Sequence, residues 1–428
     1  MSDNNRIKKL RNKYLSHSFS LSYDEPLHLV SGRGQYLYDS KGNEYLDAVN
    51  NIQHVGHSHP KVTEAANEQF KKLNTNTRYL DETILDYARA LTDKLPSSLN
   101  KCYFTNSGSE SNDLALRIAR NHSKSKETIV LEGAYHGHVT SLIEISPYKH
   151  DGPGGEGPPD YVHVVPMPDP YRGIYRGPSS GLQYAAEVET ILHEIRSNSK
   201  RVSSFIFEPI MGCGGQIIPP NGFLSSSLKM IRDHQGICIA DEVQVGFGRM
   251  GDSFWGFETQ DIVPDIVSLG KSIGNGHPLS VVVTSEELSD EFNNGMEYFN
   301  SFGGNPVSCA IGLAVLNVIE EEELQKNALK VGNKLKSLLN ELKLVHDIIG
   351  DVRGKGLFLG IEIIKDLATL EPYQKMTHKI VNEMRNKGIL LSSDGPDHNV
   401  IKIKPPMVFN GTNALFLVET LDKILSKI

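Results

Sequence analysis

Residues 264–278 read PDIVSLGKSIGNGHP. A short apolar run, Ile266 to Leu269, stops at Gly270, and one lysine, Lys271, stands before a loop containing Gly274 and Gly276. A run of this length, punctuated by Pro and Gly, reads as a buried strand with a turn behind it. A lysine at the mouth of a strand is ordinarily a solvated surface group. The other reading is an amine placed to form a Schiff base with an aldehyde. The rest of the chain has to choose between them.

Working outward, the same pattern recurs in TIVLEG (128–133), YVHVVP (161–166), SSFIFEP (203–209), GICIADE (236–242) and LSVVVT (279–284). Continuous apolar strands separated by helix-length segments predict an α/β fold, with a mostly parallel sheet covered on both faces. Ligands bind such sheets beyond the carboxyl ends of the strands. That rule singles out Glu132, Gly133, Glu208, Asp241 and Lys271. Residues 305–340 contain no proline after Pro306 and read as one long helix. VRGKGLFLGIEII and NVIKIKPPMVF read as strands of a smaller α+β domain. The opening LVSGRGQYLYDSKGNEYLDAV has hairpin character around Lys41-Gly42-Asn43 and is expected to join that domain. The expected division is an N-terminal segment (1–60), a large domain (61–325) and a small C-terminal domain (326–428).

The 428 residues carry a formal net charge of −8, which gives no support for a nucleic-acid or anionic-membrane surface. No apolar stretch approaches the roughly 20 residues needed to span a bilayer. The N-terminus MSDNNRIKKLRNKYLSHS lacks the apolar core of a secretory signal, so a cytoplasmic protein is expected. None of the four cysteines is in a C-x-x-C spacing, and free thiols in a reducing compartment are expected. HVGHSHP (54–60) fits no common zinc signature, and its Pro60 suggests a helix start instead. No metal is expected.

Asp241 follows GICIA directly. It could cap the next turn. It could also keep a pyridine nitrogen protonated, which is what makes such a ring an electron sink. Val243, two residues on, would face the same way and pack on a ring, and Gln244 could donate to a phenolic oxygen. In TNSGSESNDLALRIAR (105–120), Ser107 and Glu110 have capping-box spacing at the start of a helix. Gly108 lets backbone approach an anion closely there. Tyr135 in AYHGH offers a flat partner for a ring.

Taken together, NSGSESND, AYHGH, FEPIMGCGG, ADEVQVGFGRMG, PDIVSLGKSIGNGHP and FNSFGGNPVSCA resemble the class III (subgroup II) aminotransferases, pyridoxal-phosphate enzymes of fold type I. The resemblance runs from about residue 25 to 410. It implies Lys271 as the Schiff-base lysine, Asp241 as partner of the pyridinium nitrogen, and Val243 and Tyr135 on the two ring faces. It implies Gln244 near the cofactor's phenolic oxygen, and Ser107, Gly108 and Ser109 as the phosphate cup. Glu208 falls in the substrate pocket. Ser301 stands where the family usually has a threonine contributed to the neighbouring subunit, which implies a homodimer with active sites at the interface.

One departure narrows the resemblance. Where these transaminases commonly carry an arginine before a Pro-Pro pair, VIKIKPPMVF has Lys402, with Lys404 abutting Pro405. A bidentate carboxylate fork is replaced by point charges, which still suit phosphate. Lys402 and Arg78, in TNTRYLDE, are the expected substrate cations; Lys404 is placed behind them on the expectation that it faces away from Lys402. With SPYKHDG and MPDPYRGIYR, these features resemble the ethanolamine-phosphate and phosphohydroxylysine phospho-lyases. The implied reaction eliminates phosphate and ammonia from a small phosphorylated amine such as O-phosphoethanolamine. The alternative is an ω-aminotransferase moving an amino group to a keto acid.

Overall fold

The computed structural model describes residues 3–428. The chain first forms three short strands, β1 (Leu29–Arg33), β2 (Tyr36–Asp39) and β3 (Glu44–Asp47). Gly42 turns the β2–β3 hairpin at φ 82, a left-handed conformation glycine adopts without strain. Seven strands follow: β4 (Lys101–Thr105), β5 (Glu127–Leu131), β6 (Val162–Val165), β7 (Val202–Phe207), β8 (Ile237–Asp241), β9 (Ile266–Leu269) and β10 (Ser280–Thr284). They make one sheet in the order β4-β10-β9-β8-β7-β5-β6. Every neighbouring pair from β6 to β9 is parallel, and β10 runs antiparallel to both β9 and β4. Strands β5, β7, β8, β9 and β10 are buried at every position, as a sheet covered on both faces requires. The edge strand β4 has no counterpart among the expected runs. Lys101, Cys102 and Tyr103 are only partly buried there, so its sequence lacks the apolar continuity of the others.

The last strands are β11 (Ile349–Lys355), β12 (Phe358–Ile363), β13 (Ile389–Leu390), β14 (Ser392–Asp394) and β15 (Val400–Ile403). β11, β12, β15 and β14 form a small antiparallel sheet. β13 pairs parallel with β3. The single long helix expected over 305–340 is two helices, Pro306–Glu321 and Leu324–Lys343. The break has a physical cause. Glu320 to Glu323 place four carboxylates at the negative end of the first helix, where the helix dipole and mutual repulsion both oppose continuation. Glu323 turns left-handed at φ 50, and Leu324 buries itself as the next helix begins.

Among the described residues no helix is long and apolar enough to cross a membrane. None of their His, Cys, Asp or Glu side chains is grouped in threes to hold a metal ion. The three histidines of 54–60 are otherwise engaged. His54 meets the Phe247 carbonyl, His57 meets Asp47, and His59 precedes a helix that starts at Pro60.

Candidate active site at the carboxyl ends of the central strands

The turn after β4 starts the helix Gly108–Ser123, with Ser107 as its cap. Ser107 Oγ accepts the Glu110 N–H at 3.2 Å. The expected reciprocal half of the box does not close. The Glu110 carboxylate instead accepts from the backbone N–H and side-chain amide of Asn106. The first N–H groups of a helix have no intrahelical acceptor and point outward with the positive end of its dipole. Those of Ser107, Gly108 and Ser109 are therefore available to an anion. The Ser109 hydroxyl lies 3.2 Å from His138 Nδ1, tying this turn to the loop after β5.

Lys271 follows β9 and Gly270 with φ 40, a conformation that non-glycine residues seldom adopt. Its Nζ has no hydrogen-bond or ion-pair partner among the described residues. Two glycines hold it close to the anion turn. A Cβ on Gly108 would lie 2.9 Å from Val243 Cγ1, and one on Gly270 would lie 3.3 Å from the same atom. Beyond the lysine, Asn275 bonds the backbone of Val55 and Gly56, anchoring the glycine loop to the N-terminal segment.

Asp241 ends β8 and is 5% exposed. Its Oδ2 takes the Asn112 amide at 2.8 Å and His136 Nδ1 at 2.9 Å, while Oδ1 takes the Val243 N–H at 3.1 Å. The short contact to a carboxylate makes His136 Nδ1 the donor. Oδ1, with one backbone donor, keeps a lone pair for a further N–H. Asn112 and His136 were not foreseen. Their signal was a polar residue on the buried face of a helix and a histidine next to Tyr135, and neither has meaning without its partner. Tyr135 stands beside this cluster, edge-on to Tyr148 with centroids 6.0 Å apart.

Glu208, after β7, is fully buried and accepts from Gly212 N–H at 2.9 Å and Tyr135 N–H at 3.4 Å. Burial pushes its pKa above the ordinary carboxyl value. Gln244 Oε1 accepts from Asn51 at 3.2 Å and from Lys404 Nζ at 3.4 Å. Lys404 also bonds Asp394 Oδ2 at 3.1 Å, and Lys402 bonds Asp394 Oδ1 at 2.9 Å. The expectation that these lysines diverge is corrected here: residues two apart on an extended chain share a face. Both project to one carboxylate, and it is Lys404 that reaches Gln244. Burial would raise the Asp394 pKa, but the two ammoniums together hold it below the ordinary value. A cleft of about 350 Å³, lined by Glu132, Gly133, Tyr148, Lys149, Pro396 and His398 among others, borders the loop that follows Asp394.

Two expected residues stand apart from this cluster. Arg78 is exposed, bonded twice to Glu297 and stacked 4.1 Å from the Phe299 ring centroid. Ser301 is exposed as well. Its neighbour Asn300 bonds Asn106 and Glu110, which border the anion turn.

The assembled groups fit a phosphorylated pyridine aldehyde. An unpartnered amine, a buried carboxylate with a spare lone pair and a helix start cleared by Gly108 each match one part of it. Comparison with known proteins agrees. The model of the aminotransferase class-III family matches residues 20–425. The chain is 42% identical over 435 residues to "Ethanolamine-phosphate phospho-lyase homolog 1" of Caenorhabditis elegans, covering 98% of this chain and 93% of that one. It is 49% identical over 414 residues to "Alanine--glyoxylate aminotransferase 2-like" of Drosophila melanogaster, covering 95% and 84%. Among solved structures, a phospholyase from Arthrobacter in complex with phosphoethanolamine superposes with a TM-score of 0.94 at 38% identity, covering 99% of this chain and all of that one. The chain belongs to the class III aminotransferase family, pyridoxal-phosphate-dependent enzymes of fold type I.

Proposed function

We infer that the protein is a phospho-lyase acting on a small phosphorylated amine, with O-phosphoethanolamine as the model substrate. The observation that carries this reading is the lysine pair. Where a transaminase commonly holds a carboxylate with an arginine fork, Lys402 and Lys404 share Asp394 beside Gln244. Ammonium groups suit a phosphate, and the Arthrobacter phospholyase that this chain resembles was solved with phosphoethanolamine.

In this reading Ser107, Gly108 and Ser109 hold the cofactor phosphate through their backbone N–H groups. Val243 and Tyr135 bound its ring, and Gln244 lies near its phenolic oxygen. Asp241, oriented by His136 and Asn112, holds a proton on the ring nitrogen. Pyridoxal phosphate, when bound, supplies the sink for the electron pair of the amine-bearing carbon. Lys271 would hold the cofactor through its amine and would serve as the general base for the proton on that carbon. Lys402 holds the substrate phosphate until it leaves from the adjacent carbon, and Glu208 lines the pocket. Arg78 and Ser301 serve the site of a second copy. The exposed apolar residues around them, Tyr79, Leu80, Met296 and Phe302, suit a homodimer interface.

A second reading, an ω-aminotransferase, draws on the aminotransferase names among the relatives. It uses the same proton transfer with no leaving group. Lys402→Met separates the two. It is expected to lower kcat/KM for O-phosphoethanolamine by about ten- to two-hundredfold while barely affecting an unphosphorylated amine. Equal losses on both substrates would favour the aminotransferase.

A further inference from the structure

Asp394 lies on the three-residue strand β14, between two ammonium groups that are not equivalent. Lys404 is 2% exposed, lies 4.4 Å above the Phe358 ring, and has Asp394 and Gln244 as its polar partners. Lys402 is 24% exposed and has Asp394 as its polar partner. Gln216 gives Asp394 Oδ2 a further donor at 2.9 Å and bonds the Gly212 carbonyl, in the loop that also binds Glu208. Two positive charges therefore share one negative charge, and the cluster keeps one unit of positive charge for an incoming anion.

We propose that Asp394 is a positioning residue for the anionic end of the substrate: it anchors the buried Lys404 and lends the more exposed Lys402, which an incoming phosphate takes over. The proposal rests on the reading of Lys402 as a substrate-phosphate ligand. The phosphate replaces the carboxylate as the partner of Lys402, while Asp394 stays on Lys404. The carboxylate is needed because a buried ammonium without a counter-ion is costly and gives up its proton. The groups facing Lys404 are Asp394 and Lys402 from the small sheet, Cys213 from the loop after β7, Gln244 from the end of β8 and the Phe358 ring. Burial lowers the Lys404 pKa, and Asp394 is the main group opposing that fall.

The test is calorimetric binding of 2-aminoethylphosphonate to the holoenzyme as a function of pH. Its carbon–phosphorus bond replaces the ester, so phosphate cannot leave. In Asp394→Asn, Lys404 loses its counter-ion and deprotonates at a lower pH than in the wild type. At the acid end, where both lysines are charged and no carboxylate competes, the variant should bind at least as tightly as wild type. As pH rises and Lys404 gives up its proton, the cluster drops from two units of positive charge to one, so the variant's affinity should fall about tenfold or more from its own acid-end value, a decline the wild type does not share over that range. Asp394→Glu should restore the wild-type profile. Uniform weakening at every pH would reduce Asp394 to a structural role, and uniform tightening would make it only a competitor for the lysines; either overturns the proposal. Lys402→Met is the control for the underlying reading. If it binds the phosphonate as wild type does, the phosphate site itself is wrong. If it weakens binding while Asp394→Asn behaves as wild type, only the role of Asp394 falls. Should Asp394→Asn not fold, Lys404→Met leaves Asp394 to Lys402 alone and should weaken binding about fivefold or more at all pH values. Unchanged binding there overturns the proposal.

Discussion

A lysine after an apolar run, and an aspartate after another, gain meaning only from what surrounds them. Lys271 Nζ has no hydrogen-bond or ion-pair partner among the described residues, and the lysine sits at a left-handed φ and is flanked by Gly270 against Val243. Lys271→Ala should abolish turnover while the cofactor is still retained through the turn at Ser107–Ser109 and through Asp241, as read by its absorbance after gel filtration. Full activity in that variant would remove the lysine from the chemistry. Asp241→Asn keeps the contacts in shape but removes the charge that, in the proposed reading, holds the ring proton. Proton abstraction, followed by deuterium exchange at the amine-bearing carbon, should slow by several powers of ten, about 4 kcal/mol or more. A loss below about tenfold would mark Asp241 as structural. These two residues could be read from the chain because strand ends locate them. His136, Asn112 and Asp394 could not. Each is defined by a partner more than a hundred residues away or across a hairpin, and nothing local distinguishes it from an ordinary polar residue.

At the scale of elements, the buried strands were legible because both faces are covered and, apart from Glu127 and Asp241 at strand ends, the positions are apolar or small. β4 was not, since its first half is partly exposed, and the bend at Glu323 was hidden inside a segment with no proline or glycine break at that point. The turn from β4 into its helix is the element most sensitive to a single methyl group. A Cβ at Gly108 would press on Val243 at 2.9 Å, so Gly108→Ala must either move the helix start or displace the valine. Overpacking of this kind costs about 1–3 kcal/mol. Because in the proposed reading it falls between the cofactor's phosphate and its ring, it should appear mainly as weaker cofactor binding, about tenfold or more by equilibrium dialysis, with modest change in the melting temperature of the apoenzyme. Undiminished cofactor affinity would show that the turn does not cradle the phosphate.

For the whole molecule, the site is built by two lobes and, in our reading, by two copies. The central strands supply Lys271 and Asp241, and the small sheet supplies Lys402, Lys404 and Asp394. Arg78 and Ser301 lie at an exposed apolar patch outside the cluster. Leu80→Arg, placed in that patch, should shift the protein toward monomer in sedimentation and release cofactor and activity in parallel. A fully active monomer would contradict the shared site. The family was legible over most of the chain because its motifs follow the strand ends in order. The choice between elimination and amino transfer was less legible, because it depends on what Lys402 holds. The most direct measurement of that choice is the product balance from O-phosphoethanolamine with purified holoenzyme and no keto acid. Inorganic phosphate and ammonia should be released in equal amounts, each matching the aldehyde formed, over many turnovers. Amino transfer that proceeds only when a keto acid is supplied, with no phosphate released, would contradict it.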